Sequence, residues 1–103
     1  MKRAIWGALL VIALGQVAYG ADAPSVEQGK TLFESSTLGT SGKSCATCHP
    51  GGRKLEWAGT MDEAKLTNII NRCIAGPLKG KQLDPASPEM KSLILYLRSL
   101  AGM

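Results

Sequence analysis

Cys45-Ala46-Thr47-Cys48-His49 is the stretch on which the reading of this chain turns. Two thiols three positions apart, followed at once by an imidazole, form the pattern of a c-type haem attachment site. The thiols reach the two vinyl groups of one haem as thioethers, and the imidazole ligates the iron. Zinc fits less well, because a structural zinc site wants four ligands and the chain has only three cysteines and one histidine in all. A thioredoxin-like pair wants a strand before the motif and a βαβ setting, whereas Gly39, Ser41, Gly42, Pro50, Gly51 and Gly52 surround this one. A plain disulfide or redox pair is the remaining alternative. The expected cofactor is therefore one haem c with its iron, held through Cys45 and Cys48 and ligated by His49.

Upstream, Lys2 and Arg3 precede an uncharged run from Ala4 to Gly20 that ends in the small residues around Ala18-Tyr19-Gly20-Ala21. A basic start, an apolar middle and a small-residue cleavage site read as a secretory signal over residues 1–20, with cleavage as late as residue 23 as the variant. The alternative is an uncleaved anchor, since the run falls just short of the ~18–20 residues that a spanning helix needs. Export agrees with the motif, because bacteria attach c-type haem outside the inner membrane. The expected location is the periplasm, with no stable membrane span after signal removal.

Residues 21–103 then form a single domain, small enough to need a staple or cofactor. Its aromatic residues are Phe33, Trp57 and Tyr96, so a buried porphyrin supplies much of the missing apolar bulk. The formal charge of +4 overstates the mature chain: without Lys2 and Arg3, ten basic residues face eight acidic ones, or +2. No basic stripe interleaved with aromatics appears, which argues against nucleic-acid binding.

Helical periodicity dominates this domain. Ser25 with Gln28 starts a helix over Val26 to Glu34, with Val26, Gly29, Leu32 and Phe33 at helical spacing. Thr60 with Glu63 is a second capping box, and Leu66, Ile69, Ile70 and Cys73 share one face of the helix it opens. Gly76-Pro77 ends that helix, and Leu78 to Pro85 is a basic loop. Ser87, Pro88 and Glu89 start the last helix, Leu93, Tyr96, Leu97 and Leu100 are its buried stripe, and Gly102 marks its stop. Trp57 is expected against the porphyrin, on a propionate, or in the core. No β-type alternation of useful length appears, so the expected class is all-α, with about three main helices around one covalently attached haem.

This layout resembles class I cytochromes c, in which the glycine of a Gly29/Phe33 pair lets the C-terminal helix approach. The resemblance implies the cytochrome c fold. It also implies a methionine as the usual second axial ligand, in a loop before the last helix. Here that loop has none. His49 is the only histidine, so the candidates on this chain are Met, Cys, Lys, Asn or an open position. Met90 sits in the first turn of the last helix, a packing position, and Met103 is at the terminus. Met61 reaches the iron only if the 52–61 loop folds over the haem.

A closer resemblance lies in Ile70-Asn71-Arg72-Cys73, Gly80-Lys81, Leu83-Asp84-Pro85, Ser87, Glu89-Met90 and Tyr96-Leu97. These are similar to the haem domains of thiosulfate dehydrogenases and of Sox-type sulfur-oxidising cytochromes, densely so over residues 69–97. The resemblance implies that Cys73 is the second axial ligand, opposite His49. The other readings of Cys73 are a buried helix cysteine packed as a small hydrophobe and an intermolecular disulfide. If Cys73 is only packing, Met61 comes next, then Lys79 or an open position, and then Asn71. Where the dehydrogenases tend to carry Arg-Ser-Met-Asn, this chain has Gly76-Pro77-Leu78-Lys79, and their second haem domain is absent.

The favoured function is a periplasmic electron carrier that passes single electrons between redox proteins through brief contacts. The alternative is a haem subunit or enzyme in thiosulfate or other sulfur-compound oxidation, with Arg72, Lys79 and Lys81 as candidates to hold the anion. A gas-binding haem protein is the third reading and needs an open or displaceable axial position.

Overall fold

The structure, a computed structural model, describes residues 23–102. The expected export signal over residues 1–20 lies outside them. The described chain is all-α. Its helices are α1 (Val26–Glu34), α2 (Cys45–Cys48), α3 (Glu63–Ala75) and α4 (Pro88–Ser99). Single 3-10 turns at Ser36–Leu38, Pro50–Gly52, Glu56–Thr60 and Leu100–Gly102 join or finish them, and no strand occurs among the described residues. The three longer helices are those the periodicity predicts, and the one-turn α2 over the cysteine motif is additional. None of the described helices is long and apolar enough to cross a membrane.

Caps set the helix starts. Ser25 Oγ accepts from the Gln28 amide at 3.0 Å, and Ser87 Oγ accepts from the Met90 amide at 3.2 Å with Pro88 in the first position. Each cap satisfies one of the amides that a helix start leaves without a partner. The start of α3 differs from expectation: its cap is Asp62, whose carboxylate accepts from the Lys65 amide at 3.2 Å. Thr60 instead closes the Glu56–Thr60 turn and donates its hydroxyl to the Trp57 carbonyl at 3.2 Å. A 3-10 turn occupies residues 56–60, which moves the helix start two residues on.

The core forms where α1 crosses α4, the most extensive helix pair. Gly29 makes the crossing possible, since a Cβ there would stand 2.0 Å from the Ser92 carbonyl oxygen and 2.7 Å from Tyr96 Cβ. Beside it the Phe33 and Tyr96 rings meet at 5.2 Å between centroids, tilted by 56°. The Ser25 amide donates to Ser92 Oγ at 3.1 Å and ties the helix start to its partner. Leu93, Tyr96, Leu97 and Leu100 are all buried, as their spacing predicts, and Met90 and Ile94 join them. Burial of each such side chain contributes about 1.5–3 kcal/mol.

Two loops lock the remaining chain. The Gly39 and Gly80 backbones pass so close that a Cβ on Gly39 would lie 2.0 Å from the Leu78 carbonyl oxygen, and one on Gly80 would lie 2.1 Å from that of Leu38. The Thr40 and Ser41 amides donate to the Leu78 carbonyl at 2.9 and 3.1 Å. Leu78, at the start of the expected basic loop, is buried and pins the crossing. Asn71 then holds the next stretch: its side chain donates to the Leu83 carbonyl at 2.9 Å and accepts from the Leu83 amide at 2.8 Å.

Candidate haem site

The cysteine motif is shaped by short-range bonds. The Ser44 amide donates to Thr47 Oγ1 at 2.8 Å, which winds residues 45–48 into one helical turn. The His49 amide donates to the Cys45 carbonyl at 3.0 Å and closes that turn. Gly51 and Gly52, at φ +63° and +80°, then reverse the chain in a conformation that residues with a Cβ adopt at a cost. The reversal brings the Arg53 carbonyl back to His49, 3.1 Å from Nδ1.

That contact decides the imidazole's chemistry. A carbonyl oxygen only accepts, so Nδ1 is the donor in this contact, and in the neutral ring that tautomer leaves the lone pair on Nε2. A backbone carbonyl holding the far ring nitrogen is the usual way a metal-ligating histidine is oriented.

His49 lines a cleft enclosing about 510 Å³ of empty space, open solvent at its mouth included. Phe33, Leu66, Ile70, Leu93 and Leu97 supply its apolar wall from α1, α3 and α4, and Leu55, Trp57 and Ala58 close one side from the 55–58 stretch. The chemically active groups in this wall are Cys45, His49 and Cys73. Cys45 and Cys73 are half-buried and near enough for each to shift the other's thiol, while Cys48 is exposed and outside the wall. All three thiols are free. Burial, with the neighbouring Cys73 adding to it, pushes the Cys45 thiol up to about 11. Burial also raises the Cys73 thiol, as does the nearby Cys48, while the neighbouring Cys45 acts the other way.

The other axial candidates lie elsewhere. Met61 is half-buried in an adjoining groove with Lys65, Asn68, Arg72 and Ile69, the last shared with the cleft, and its carbonyl accepts from Arg98 at 3.1 Å. Met90 is fully buried in the core. Asn71 spends its amide on Leu83. Lys79 is exposed, at φ +54°, in the crossing of the two loops. Arg72 and Lys81 are exposed as well. Trp57 is not core: it is 46% exposed, its ring lines the cleft, and its indole N–H donates to the Lys54 carbonyl at 2.8 Å.

The residues present fit a haem better than a protein-only metal cage. No three His, Cys, Asp or Glu side chains converge as a metal ion would require among the described residues. A haem asks the chain for two thiols at one edge, one imidazole with a free Nε2, and apolar walls. Cys45 and His49 stand in such walls, and Cys48, exposed, follows Cys45 by three residues in the same helical turn. Sequence reasoning missed the Arg53 carbonyl, although the Gly51-Gly52 pair just after His49 signals a chain reversal there. No protein-family model, curated protein or solved structure matches this chain.

Proposed function

We propose that this chain is an exported monohaem c-type cytochrome with the cytochrome c fold, located in the periplasm, that passes single electrons between redox proteins. The observation that carries the reading is His49, with Nδ1 bonded to the Arg53 carbonyl, in one apolar cleft with Cys45. Cys45 and Cys48 are the thioether cysteines. His49, through Nε2, and Cys73, which lines the same cleft, would hold the iron of such a haem. When bound, the haem supplies a one-electron iron couple. The chain's part is to hold it by two covalent bonds, to exclude water with the apolar wall, and to leave one side open to partners at the exposed Trp57. Water exclusion keeps the dielectric low around the group, which with axial-ligand identity is the lever a protein has on its potential.

The test is expression with c-type haem attachment machinery. The wild-type chain carries one covalent haem by mass and by its reduced pyridine-complex spectrum, and Cys45→Ala or His49→Ala loses it. A wild-type chain that emerges without haem refutes the reading.

A second reading, haem-based oxidation of a sulfur compound, is favoured by Cys73 standing in the cleft wall. Reduction of the haem by added thiosulfate separates it from pure electron carriage.

A further inference from the structure

The stretch from Arg53 to Met61 is a strap between the cysteine motif and α3. The chain enters it through the left-handed backbone of Gly51, Gly52 and Lys54, at φ +63°, +80° and +71°, and its Leu55, Trp57 and Ala58 close one side of the cleft. Ala58 is fully buried and Trp57 is exposed. Inside the strap the bonding is local: the Leu55, Ala58 and Met61 amides each donate to the carbonyl three residues back, at 3.1, 2.9 and 3.2 Å. Turns of this kind have poorer hydrogen-bond geometry than an α-helix, so contacts from outside the strap are needed to hold the wall in place.

Two such contacts come from the end of α4. Nη1 of the half-buried Arg98 donates to the Gly59 carbonyl and to the Met61 carbonyl, each at 3.1 Å, across 39 and 37 residues of chain. Both carbonyls lie at the closing end of the 56–60 turn, where a helical turn leaves acceptors in need of donors and a cation is favoured. Gly59 also lies so close to the last residues that a Cβ on it would stand 2.2 Å from Ala101 Cβ, an atom that no rotamer change can move.

We propose that Arg98 is the positioning residue of this cleft: by bridging the Gly59 and Met61 carbonyls it latches the strap to α4 and holds Trp57 and Ala58 in the wall. Its effect on a haem rests on the reading above; the latch itself does not. Arg98 stands outside the cleft wall and acts only through the strap. The strap in turn helps to keep water from the cleft, and solvent access bears on the potential of a haem held there.

The experiment uses the full chain as isolated from an exporting host with haem-attachment machinery, as wild type, Arg98→Met, Arg98→Lys and Gly59→Ala. Hydrogen exchange is read by mass spectrometry on peptides covering residues 53–61 and, for reference, on the α1–α4 crossing. Arg98→Met keeps an unbranched apolar stem and removes every donor, so exchange over the strap is expected to quicken about tenfold or more, with the crossing changed less. Arg98→Lys keeps the charge without the planar fork and is expected to recover part of the protection. Gly59→Ala leaves Arg98 in place, pushes the turn away from Ala101 and is expected to quicken the same peptides. Strap peptides that exchange as in wild type in Arg98→Met, or that quicken no more than the crossing does, overturn the latch. On the covalently bound haem, Arg98→Met and Gly59→Ala are both expected to shift the potential from that of wild type. A shift in Arg98→Met with none in Gly59→Ala is an effect of charge alone and overturns the positioning role. A chain that shows the latch by exchange yet carries no haem refutes the cytochrome reading and leaves Arg98 as the residue that holds the strap.

Discussion

Replacing Gly29 by alanine sets two opposed effects against each other. Alanine is the better helix former, and in the middle of α1 it gains about 1 kcal/mol over glycine. Against this, its Cβ would stand 2.0 Å from the Ser92 carbonyl oxygen, 2.7 Å from the Ser92 carbonyl carbon and 2.7 Å from Tyr96 Cβ. Two of these three atoms belong to the α4 backbone, so no rotamer change relieves the overlap. One helix must retreat by ~1 Å, and a gap of that size forfeits a quarter to a half of the dispersion energy at each contact it opens. The contacts include the Phe33–Tyr96 ring pair at 5.2 Å and the Ser25–Ser92 hydrogen bond at 3.1 Å. Overpacking of a close-packed core costs ~1–3 kcal/mol, and loosening the ring pair and hydrogen bond adds ~1–2. After the helix-propensity gain, a net loss of about 2 kcal/mol remains.

For a domain of this size that loss lowers Tm by ~8–16 °C. Thermal unfolding followed by far-ultraviolet circular dichroism measures it. Gly51→Ala is the control: Gly51 has φ +63° and a Cβ added there meets nothing within 4 Å, so its cost is backbone strain of ~1–2 kcal/mol without helix separation. A Gly29→Ala chain as stable as wild type, or more so, refutes the close-crossing account of α1 and α4.

Asn71→Ala removes both bonds to the Leu83 backbone and leaves a partly buried amide and carbonyl without partners, at a cost of ~2–4 kcal/mol. Amide hydrogen exchange is expected to quicken from Leu78 to Pro85, and an unchanged pattern there contradicts the clamp. In the haem-free chain the folded Cys45 thiol holds its proton up to about 11 while the unfolded one releases it in the ordinary thiol range. Between those values the folded state binds more protons, so stability falls as pH rises through that window and is unaffected below it. Denaturant titrations across that range check the sign, and Cys45→Ser is expected to flatten the slope. In the holoprotein, electron paramagnetic resonance of the ferric form is expected to show the narrow low-spin g-spread of thiolate ligation, lost in Cys73→Ala. A spectrum unchanged by that substitution removes Cys73 as a ligand and makes Met61 the next residue to replace.

Local chemistry explains how much of the fold was legible in the residues themselves. The bounds of α1, and the start and stripe of α4, follow from side chains within one or two turns of the backbone groups they cap or cover. Thr60 was misplaced as a cap, and the choice among the readings of Trp57 stayed open, because both depend on a 3-10 turn at residues 56–60 that leaves no periodic signature. Leu78 and the Gly39–Gly80 crossing were missed for another reason: the contact joins segments about forty residues apart, and a glycine looks the same whether it answers a turn or a passing backbone.

The site divides along the same line. The spacing of Cys45, Cys48 and His49 is covalent and lies within five residues, so consecutive residues alone specify that motif, from which the haem is proposed. They also specify the helical class, because hydrophobic period is a property of neighbours along the chain. Long-range packing, in contrast, selects which candidates share a cleft. It brings Cys45, His49 and Cys73 to one wall, places Met61 in an adjoining groove and uses Asn71 to clamp a loop. These outcomes depend on how α3 lies against α2 and α4, and that arises from the summed burial of side chains distant along the chain, which no single stretch encodes.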